Sequence, residues 1–345
     1  MIIAQSPTRV DLSGGTLDCW PLHLFVGDTV TVNLSIDILT GVELEPKNPT
    51  LDDQSIEIEV QDLSYERSFN SMGEFLSSED PPLKLVQAVV NYFAPVNGFK
   101  LRTRSQSPIG AGLGGSSSLT VSLIKAFMAF NRQSLSTEEL VELAHNLEAQ
   151  VLTAPTGTQD YYPAIEPGLN LIHYTRAGRR LESLGDVGSD FSEKMMLIYT
   201  GKAHHSGINN WHVIKSIIDG NEAMRRCLGE ISNISIKMAR VAKMRDWTSL
   251  PQLFEAEYEA RTRLSPTFTS PEIEELRSLV LQQGAQAVKI CGAGGGGCVL
   301  VWCDPDKQHA VKESCLKKGF QPLNARPVAP VRKSAPQQSV AAPVL

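Results

Sequence analysis

Residues 1–70 read mainly as strands: "IIAQSPTRVDLSG", "TVTVNLSI", "GVELEP" and "SIEIEVQ", the last with clean apolar/polar alternation, with Pro and Gly separating them. "PPLKLVQAVVNYF" predicts a short helix starting just after Pro82, and "FKLRTRS" alternates again, with Lys100, Arg102 and Arg104 on one face. That basic face is either the solvated side of a strand or an anion site. "SSSLTVSLIKAFMAF" is apolar over most of its circumference, with Lys125 its only charge, which predicts a central, rigid helix. A second helix follows directly in "STEELVELAHNLEAQVL", opened by a capping box of Ser136 and Glu139. "PTGTQDYYPAIEPGLNLIHY" then breaks the helix and returns to strand.

The character changes near residue 190. "KMMLIYTG" predicts a strand, most of 207–283 is helical and stops at "PEIEELRSLVLQQG", and "AVKICGAGGGGCVLVWC" is two apolar strands joined by glycines. One more helix, "DPDKQHAVKESCLKKG", precedes a final strand near "QPLNARPV". The pattern therefore predicts domains over 1–190 and 191–332, with a disordered tail over 333–345 that has too little apolar material to pack.

Composition narrows the function classes. With 345 residues, 42% hydrophobic and 20% charged, the chain is expected to be an ordinary two-domain globular protein. No apolar run approaches the ~20 residues that span a bilayer. A net charge of -6 argues against nucleic acid or an anionic membrane as partner, so any bound anion must be met by local groups. Six cysteines without a CxxC pair, and an opening "MIIAQSPTRV" without an apolar signal core, predict reduced thiols and a cytoplasmic location.

Two glycine loops carry the candidate chemistry. Gly110, Gly112 and Gly115 fit GxGxxG, as do Gly292, Gly294 and Gly297, but the dinucleotide fingerprint also needs a second strand carrying an acid ~20 residues on. Here the first helix runs into another helix, and no Gly-Lys-Ser/Thr of a P-loop occurs. Glycine gives up as much as ~1 kcal/mol relative to Ala in regular structure, so a loop this rich in it needs a reason. For "SPIGAGLGGSSS" the reason is its end at a helix N-terminus, where unpaired N–H groups and the helix dipole favour an anion. Ser116 and Ser117 fall in that first turn, as caps or as ligands of Mg2+ or phosphate. "GAGGGGC" is a tight turn or a place of close backbone approach.

Three ordered stretches, "SPTRVDLSGGTLD", "SPIGAGLGGSSSLTV" and "KICGAGGGGCVL", together resemble the motifs of the GHMP kinases over nearly the whole chain. With "PTGTQDYY" and "SPEIEEL", the chain is most similar to sugar kinases of the D-glycero-D-manno-heptose 7-phosphate kinase and galactokinase type. "GGTLD" stands where that family has GGGTD, and "GLGGSSS" where it has GLGSSSA. The resemblance implies an α+β two-domain fold: an N-terminal domain like ribosomal protein S5 domain 2, with a left-handed βαβ crossover, and a C-terminal ferredoxin-like domain, with the active site between them. It implies an alcohol phosphotransferase using ATP and Mg2+ on a sugar or sugar phosphate. The alternatives are a mevalonate- or homoserine-type kinase, or a catalytically silent nucleotide sensor. A small molecule would be the partner, and the protein a monomer or homodimer.

Residue by residue, the resemblance implies that Gly110, Ala111, Gly112, Leu113, Gly114, Gly115, Ser116 and Ser117 cradle ATP. It implies that Ser116 and Glu148 hold Mg2+, with Ser117 a close competitor because the serine run is shifted. Asp160, aided by Arg9, would face the acceptor hydroxyl, and Asp18, Gly292, Gly294 and Gly295 would contact the acceptor. By its own chemistry Glu148 reads rather as a solvated helix-face acid, and Asp160 as a turn residue. Lys202, His204 and His205 could meet a phosphate on the acceptor; two adjacent histidines on a helix diverge by about 100° and make a poor zinc site.

Overall fold

The computed structural model describes residues 1–47, 53–203 and 206–330, without the side chains of 206–209. The tail 333–345 lies outside the described residues, as do His204 and His205.

The first sheet is built from β1 (Ile2–Ser13), β2 (Thr29–Pro46), β3 (Ile56–Val60), β4 (Tyr65–Phe69), β5 (Phe99–Ser105), β6 (Leu169–Thr175) and β7 (Gly178–Gly185). They run in the order β4-β3-β5-β2-β6-β7, and β1 pairs with β2. β3 and β5 are parallel and are joined over β4, α1 (Met72–Ser77) and α2 (Lys84–Phe93), whereas β1/β2 and β2/β5 are antiparallel. Alternation decides which way the strands face. Ile56, Ile58 and Val60 of β3 and Phe99 and Leu101 of β5 enter the core. Lys100 and Arg102 stay outside, in ion pairs with Glu57, Glu43 and Glu59 at 2.6–3.3 Å, so the basic face is a solvated strand side.

α3 (Gly115–Asn131) and α4 (Thr137–Leu152) cover this sheet beside α2, and Ser136 and Glu139 form the capping box. A changeover at α6 (Ser189–Ser192) leads to the second sheet: β8 (Met195–Tyr199), β9 (Ala287–Ile290), β10 (Cys298–Trp302) and β11 (Gln321–Leu323). Its order β11-β8-β10-β9, with antiparallel neighbours, is the ferredoxin-like arrangement. α7 (Ser206–Ile218), α8 (Glu222–Met244), α9 (Leu250–Leu264) and α10 (Pro271–Gln282) fill the β8–β9 connection, and α11 (Pro305–Lys317) joins β10 to β11.

One apolar cluster spans both sheets: Val10, Val32 and Leu34 of the first pack with Met238 of α8, Phe254 of α9 and Leu300 of β10. Ser232 and Ser235 of α8 bind the Thr29 hydroxyl and the Val30 carbonyl of β2, which fixes α8 on the first sheet. The two sheets thus share a core, and the candidate site lies where their loops meet.

Several elements differ from the sequence expectation. Gly41 does not end a strand but lies inside β2, opposite Gln5 and Arg104, where a Cβ would come 2.8 Å from the Arg104 Nε. "YYPAI" forms the one-turn α5 (Tyr161–Ile165), because Tyr161 and Tyr162 are fully buried and their hydroxyls reach Glu148 and Glu138 at 2.7 Å. The segment after β11 returns to the first sheet: Pro327 bridges Ile36, and the Arg326 N–H donates to Asp37 Oδ1 at 2.7 Å.

Candidate active site

The first glycine loop connects β5 to α3. Gly110, Gly112 and Gly114 have φ of 64°, 73° and 70°, and Gly114 is the residue before the helix. Ala111 and Leu113 alternate with them, are buried, and pin the loop to the shared core. The loop's carbonyls point into the protein: Ala111 accepts from the Cys298 N–H at 2.7 Å and Leu113 from the Arg9 N–H at 3.0 Å. Gly112 accepts from Arg9 Nη1 at 2.6 Å. With the carbonyls turned away, the N–H groups at the start of α3 are left for an anion.

The second loop joins β9 to β10 and packs against the first. A Cβ on Gly292 would sit 2.9 Å from both the Cα and the carbonyl oxygen of Gly112, and one on Gly294 would sit 2.0 Å from the Phe268 carbonyl oxygen. The Gly295 N–H donates to that same carbonyl at 3.1 Å, and the Gly297 N–H donates to Lys202 at 2.8 Å. The close approach that the glycines permit is therefore backbone on backbone: Gly292 locks the loops of the two sheets together, and Gly294 fits its own loop to the connection between α9 and α10. Gly292 and Ala293 line the cleft; Gly294 and Gly295 face Phe268 behind it.

The cleft between these loops has a volume of about 790 Å³ and is lined by Arg9, Asp18, Gly110–Ser117, Glu148 and Asp160 among others. Arg9, in mid-β1 and buried, donates Nε to Asp160 Oδ1 at 2.8 Å and Nη2 to Oδ2 at 2.7 Å. This two-pronged pair spans 151 residues of sequence and holds the carboxylate in one orientation. Burial pulls the Arg9 guanidinium down, but Asp160 and Asp11 together raise it above its ordinary value. A Cβ on Gly114 would come within 3.1 Å of Asp160 Oδ2, so the carboxylate stands directly against the entry to α3.

Glu148, late in α4, is buried at 3% exposure and is not a solvated helix-face acid. Its Oε1 accepts from Ser116 at 2.5 Å, and its Oε2 accepts from Ser117 and Tyr161, each at 2.7 Å. Burial raises its pKa, opposed by the three hydroxyls. Among the described residues no Lys or Arg forms an ion pair with it. A buried carboxylate beside a serine hydroxyl and a phosphate cradle, with no cationic partner, is a donor set that fits a hard divalent cation keeping its other positions for phosphate and water. Both serines line the cleft, Ser116 exposed and Ser117 buried. Among the described residues no cluster of three His, Cys, Asp or Glu could hold a metal alone.

Asp18 closes the other wall. Its Oδ1 accepts from the Thr16 N–H at 3.0 Å and its Oδ2 from the Gln159 N–H at 3.1 Å. A Cβ on Gly157 would overlap Oδ2 at 1.8 Å, so the "PTGTQD" turn needs its glycine to reach Asp18. Burial, then the neighbouring Asp160 charge, pushes the Asp18 carboxyl up to about 7. Lys202 instead pairs with Glu272 at 3.0 Å and does not line the cleft.

Sequence reasoning missed two groups. Under the Gly14–Asp18 turn, Arg261 donates to the Gly15 carbonyl at 3.0 Å and to Glu257 at 2.9 Å, and Lys289 reaches Asp11 at 3.3 Å and Glu257 at 3.4 Å, all buried. The one available signal was Asp11, a charge two residues from Arg9 and so on the same face of an otherwise buried strand. Asn210 and Trp211, at the start of α7, line the cleft as well, and no motif marks them.

Known proteins match this chain along its length. Residues 82–168 match the model of the GHMP kinases N terminal domain and residues 241–321 that of the GHMP kinases C terminal domain. A D-glycero-alpha-D-manno-heptose 7-phosphate kinase of Campylobacter jejuni is 26% identical over 92% of this chain and 94% of its own length. A mevalonate kinase of Pyrococcus furiosus is 25% identical over 93% and 95%. Among solved structures, a D-glycero-D-manno-heptose 1-phosphate kinase from Bacteriodes thetaiotaomicron superposes with a TM-score of 0.76 at 19% identity, over 96% of this chain and 97% of that one. The Lactococcus lactis galactokinase complexed with galactose superposes with a TM-score of 0.75 at 15% identity, over 95% and 94%.

Proposed function

The chain belongs to the GHMP kinase family, and on that premise we propose that it transfers the γ-phosphoryl group of ATP to a hydroxyl of a sugar or sugar phosphate, with Mg2+. Phosphoryl transfer asks a protein mainly to position its reactants and neutralise charge. Unpaired N–H groups of the Gly110–Ser117 loop and of the first turn of α3 would meet the phosphates, the Ala111 N–H excepted because it donates to the Pro108 carbonyl. Ser116 and Glu148 would hold Mg2+, which when bound supplies positive charge at the phosphate oxygens. Asp18 would accept hydrogen bonds from acceptor hydroxyls. Asp160, held by Arg9, would orient the attacking hydroxyl or take its proton. Gly292 would flank the acceptor, with Gly294 and Gly295 supporting it from behind.

The observation that carries this reading is the position of Asp160: a carboxylate clamped by Arg9 within van der Waals reach of Gly114, the residue that opens the phosphate-binding helix. The carboxylate offsets the buried Arg9 charge and also borders the cleft, and on this reading the attacking hydroxyl would stand beside it. The heptose kinase relative favours a heptose phosphate acceptor, and the mevalonate kinase relatives make mevalonate the competing one. ADP release from ATP and Mg2+ should be measured across heptose 7-phosphate, galactose, fucose, a uronic acid, mevalonate and homoserine. Turnover with a sugar or sugar phosphate is expected; tight ATP binding without turnover of any acceptor would contradict the proposal and favour a nucleotide sensor.

A further inference from the structure

Trp211, in the second turn of α7, is 52% exposed, whereas Val213, Ile214 and Ile217 on the neighbouring face are buried. Val213, Ile214 and Ile217 of α7 pack on Leu17, Cys19 and Leu22 of the loop carrying Asp18, and on Ala293 and Phe268. Asn210 stands three and four residues before Val213 and Ile214, so it continues the face turned toward that loop, and Trp211 flanks it. Both line the cleft. A tryptophan that leaves half its surface in a cleft is a large, rigid, flat apolar plane available to a ligand.

Polar atoms beside it are also waiting for partners. The Asn210 carboxamide oxygen is buried and accepts no hydrogen bond among the described residues, and the same holds for Gln159 Oε1. With the Asp18 carboxylate, these make an acceptor-rich wall, and buried acceptors left empty are unfavourable by the desolvation of each. What satisfies them must donate several O–H groups, and what covers the indole must present an apolar face. An apolar part of the lining lies elsewhere: Leu63, Leu85 and Ile109 belong to the first-sheet side, Leu85 packs with the α2–α3 core rather than with α7, and that end would take the nucleoside.

We propose that Trp211 and Asn210 determine the acceptor: the indole stacks on the C–H face of a closed sugar ring while the Asn210 carboxamide oxygen accepts a hydroxyl from its rim. This rests on the phosphotransfer reading above and narrows it from alcohols in general to cyclic polyols. An open-chain alcohol has no face to lay on the indole.

The test is steady-state ADP release with MgATP, varying acceptor and ATP separately, for the wild type, Trp211→Ala, Trp211→Phe, Asn210→Leu and Asn210→Asp, over ring sugars and mevalonate. Trp211→Ala and Asn210→Leu should each raise the KM for the ring sugar roughly tenfold to a hundredfold. The KM for ATP and the kcat should stay within about threefold, and the Phe and Asp variants, which keep a flat ring and an acceptor oxygen, should recover most of the loss. An unchanged acceptor KM in Trp211→Ala, or Phe no better than Ala, would overturn the inference and leave the kinase reading standing. So would a wild type that prefers mevalonate to every ring sugar. No ADP release with any acceptor would instead remove the phosphotransfer reading, and this inference with it.

Discussion

At the residue scale, environment turns ordinary acids into distinct tools. Asp18 is buried beside Asp160, and burial, then that neighbouring charge, pushes its carboxyl up to about 7. Ionised, it accepts from both backbone N–H groups and from an incoming hydroxyl; protonated, it loses acceptor capacity on one oxygen. Its folded pKa is raised, so the charged form is present above about pH 7 and lost as pH falls through that value. Acceptor KM should therefore rise as pH drops from 8 to 6 while the KM for ATP changes little, and a flat acceptor profile would remove Asp18 from sugar binding. The two serines divide the work in the same way. Ser116 faces the cleft and Ser117 shares Glu148 Oε2 with Tyr161. Ser116→Ala should raise the Mg2+ concentration for half-maximal rate by about tenfold, whereas Ser117→Ala should chiefly lower stability, by about 1 kcal/mol. Magnesium titration and urea denaturation of both variants separate the roles, and equal Mg2+ curves would contradict them.

At the scale of elements, the glycine loops are the device that brings two sheets to one site. Gly294 is hemmed in by the Phe268 carbonyl and holds φ at +70°, so Gly294→Ala is expected to destabilise by on the order of 3 kcal/mol. Gly201, with φ of +80° and nothing within 4 Å of a Cβ, is the control: Gly201→Ala should lose only about 1 kcal/mol. Similar losses in urea titrations would mean that the close contact with Phe268 matters little. What Gly294 meets was invisible in "GAGGGGC", where spacing alone cannot say whether a ligand or another backbone approaches. What was legible followed local rules: strand alternation in "SIEIEV", the capping box at Ser136, and the loop running into α3. α5 was not, because two buried tyrosines and a proline form a turn of helix only through the hydroxyl contacts to α4. The strand β7 was missed for a related reason: "GRRLESLG" is mostly half-exposed, and only pairing with β6 makes it a strand.

At the scale of the whole molecule, charge is buried where the two sheets meet. Asp11 and Glu257 face Lys289 and Arg261, two of each sign, under the turn that carries Asp18. Removing one cation leaves a buried negative charge without its partner. Lys289→Met should thus destabilise the fold by roughly 3–5 kcal/mol in urea denaturation, and a loss under about 1 kcal/mol would show the cluster to be dispensable. None of this cluster could be assembled from sequence, since its members lie on β1, α9 and β9 and meet only after folding. The pair that defines the site, Arg9 and Asp160, is equally distant in sequence, and it reached the candidate set through the resemblance of its motifs. That pair carries the central claim. Asp160→Asn, compared with the wild type in ADP release at saturating ATP and Mg2+ on the best acceptor of the panel, tests it most directly. The account predicts a kcat lower by about 100 to 10,000-fold with ATP affinity nearly unchanged; an Asn variant that turns over like the wild type would contradict it.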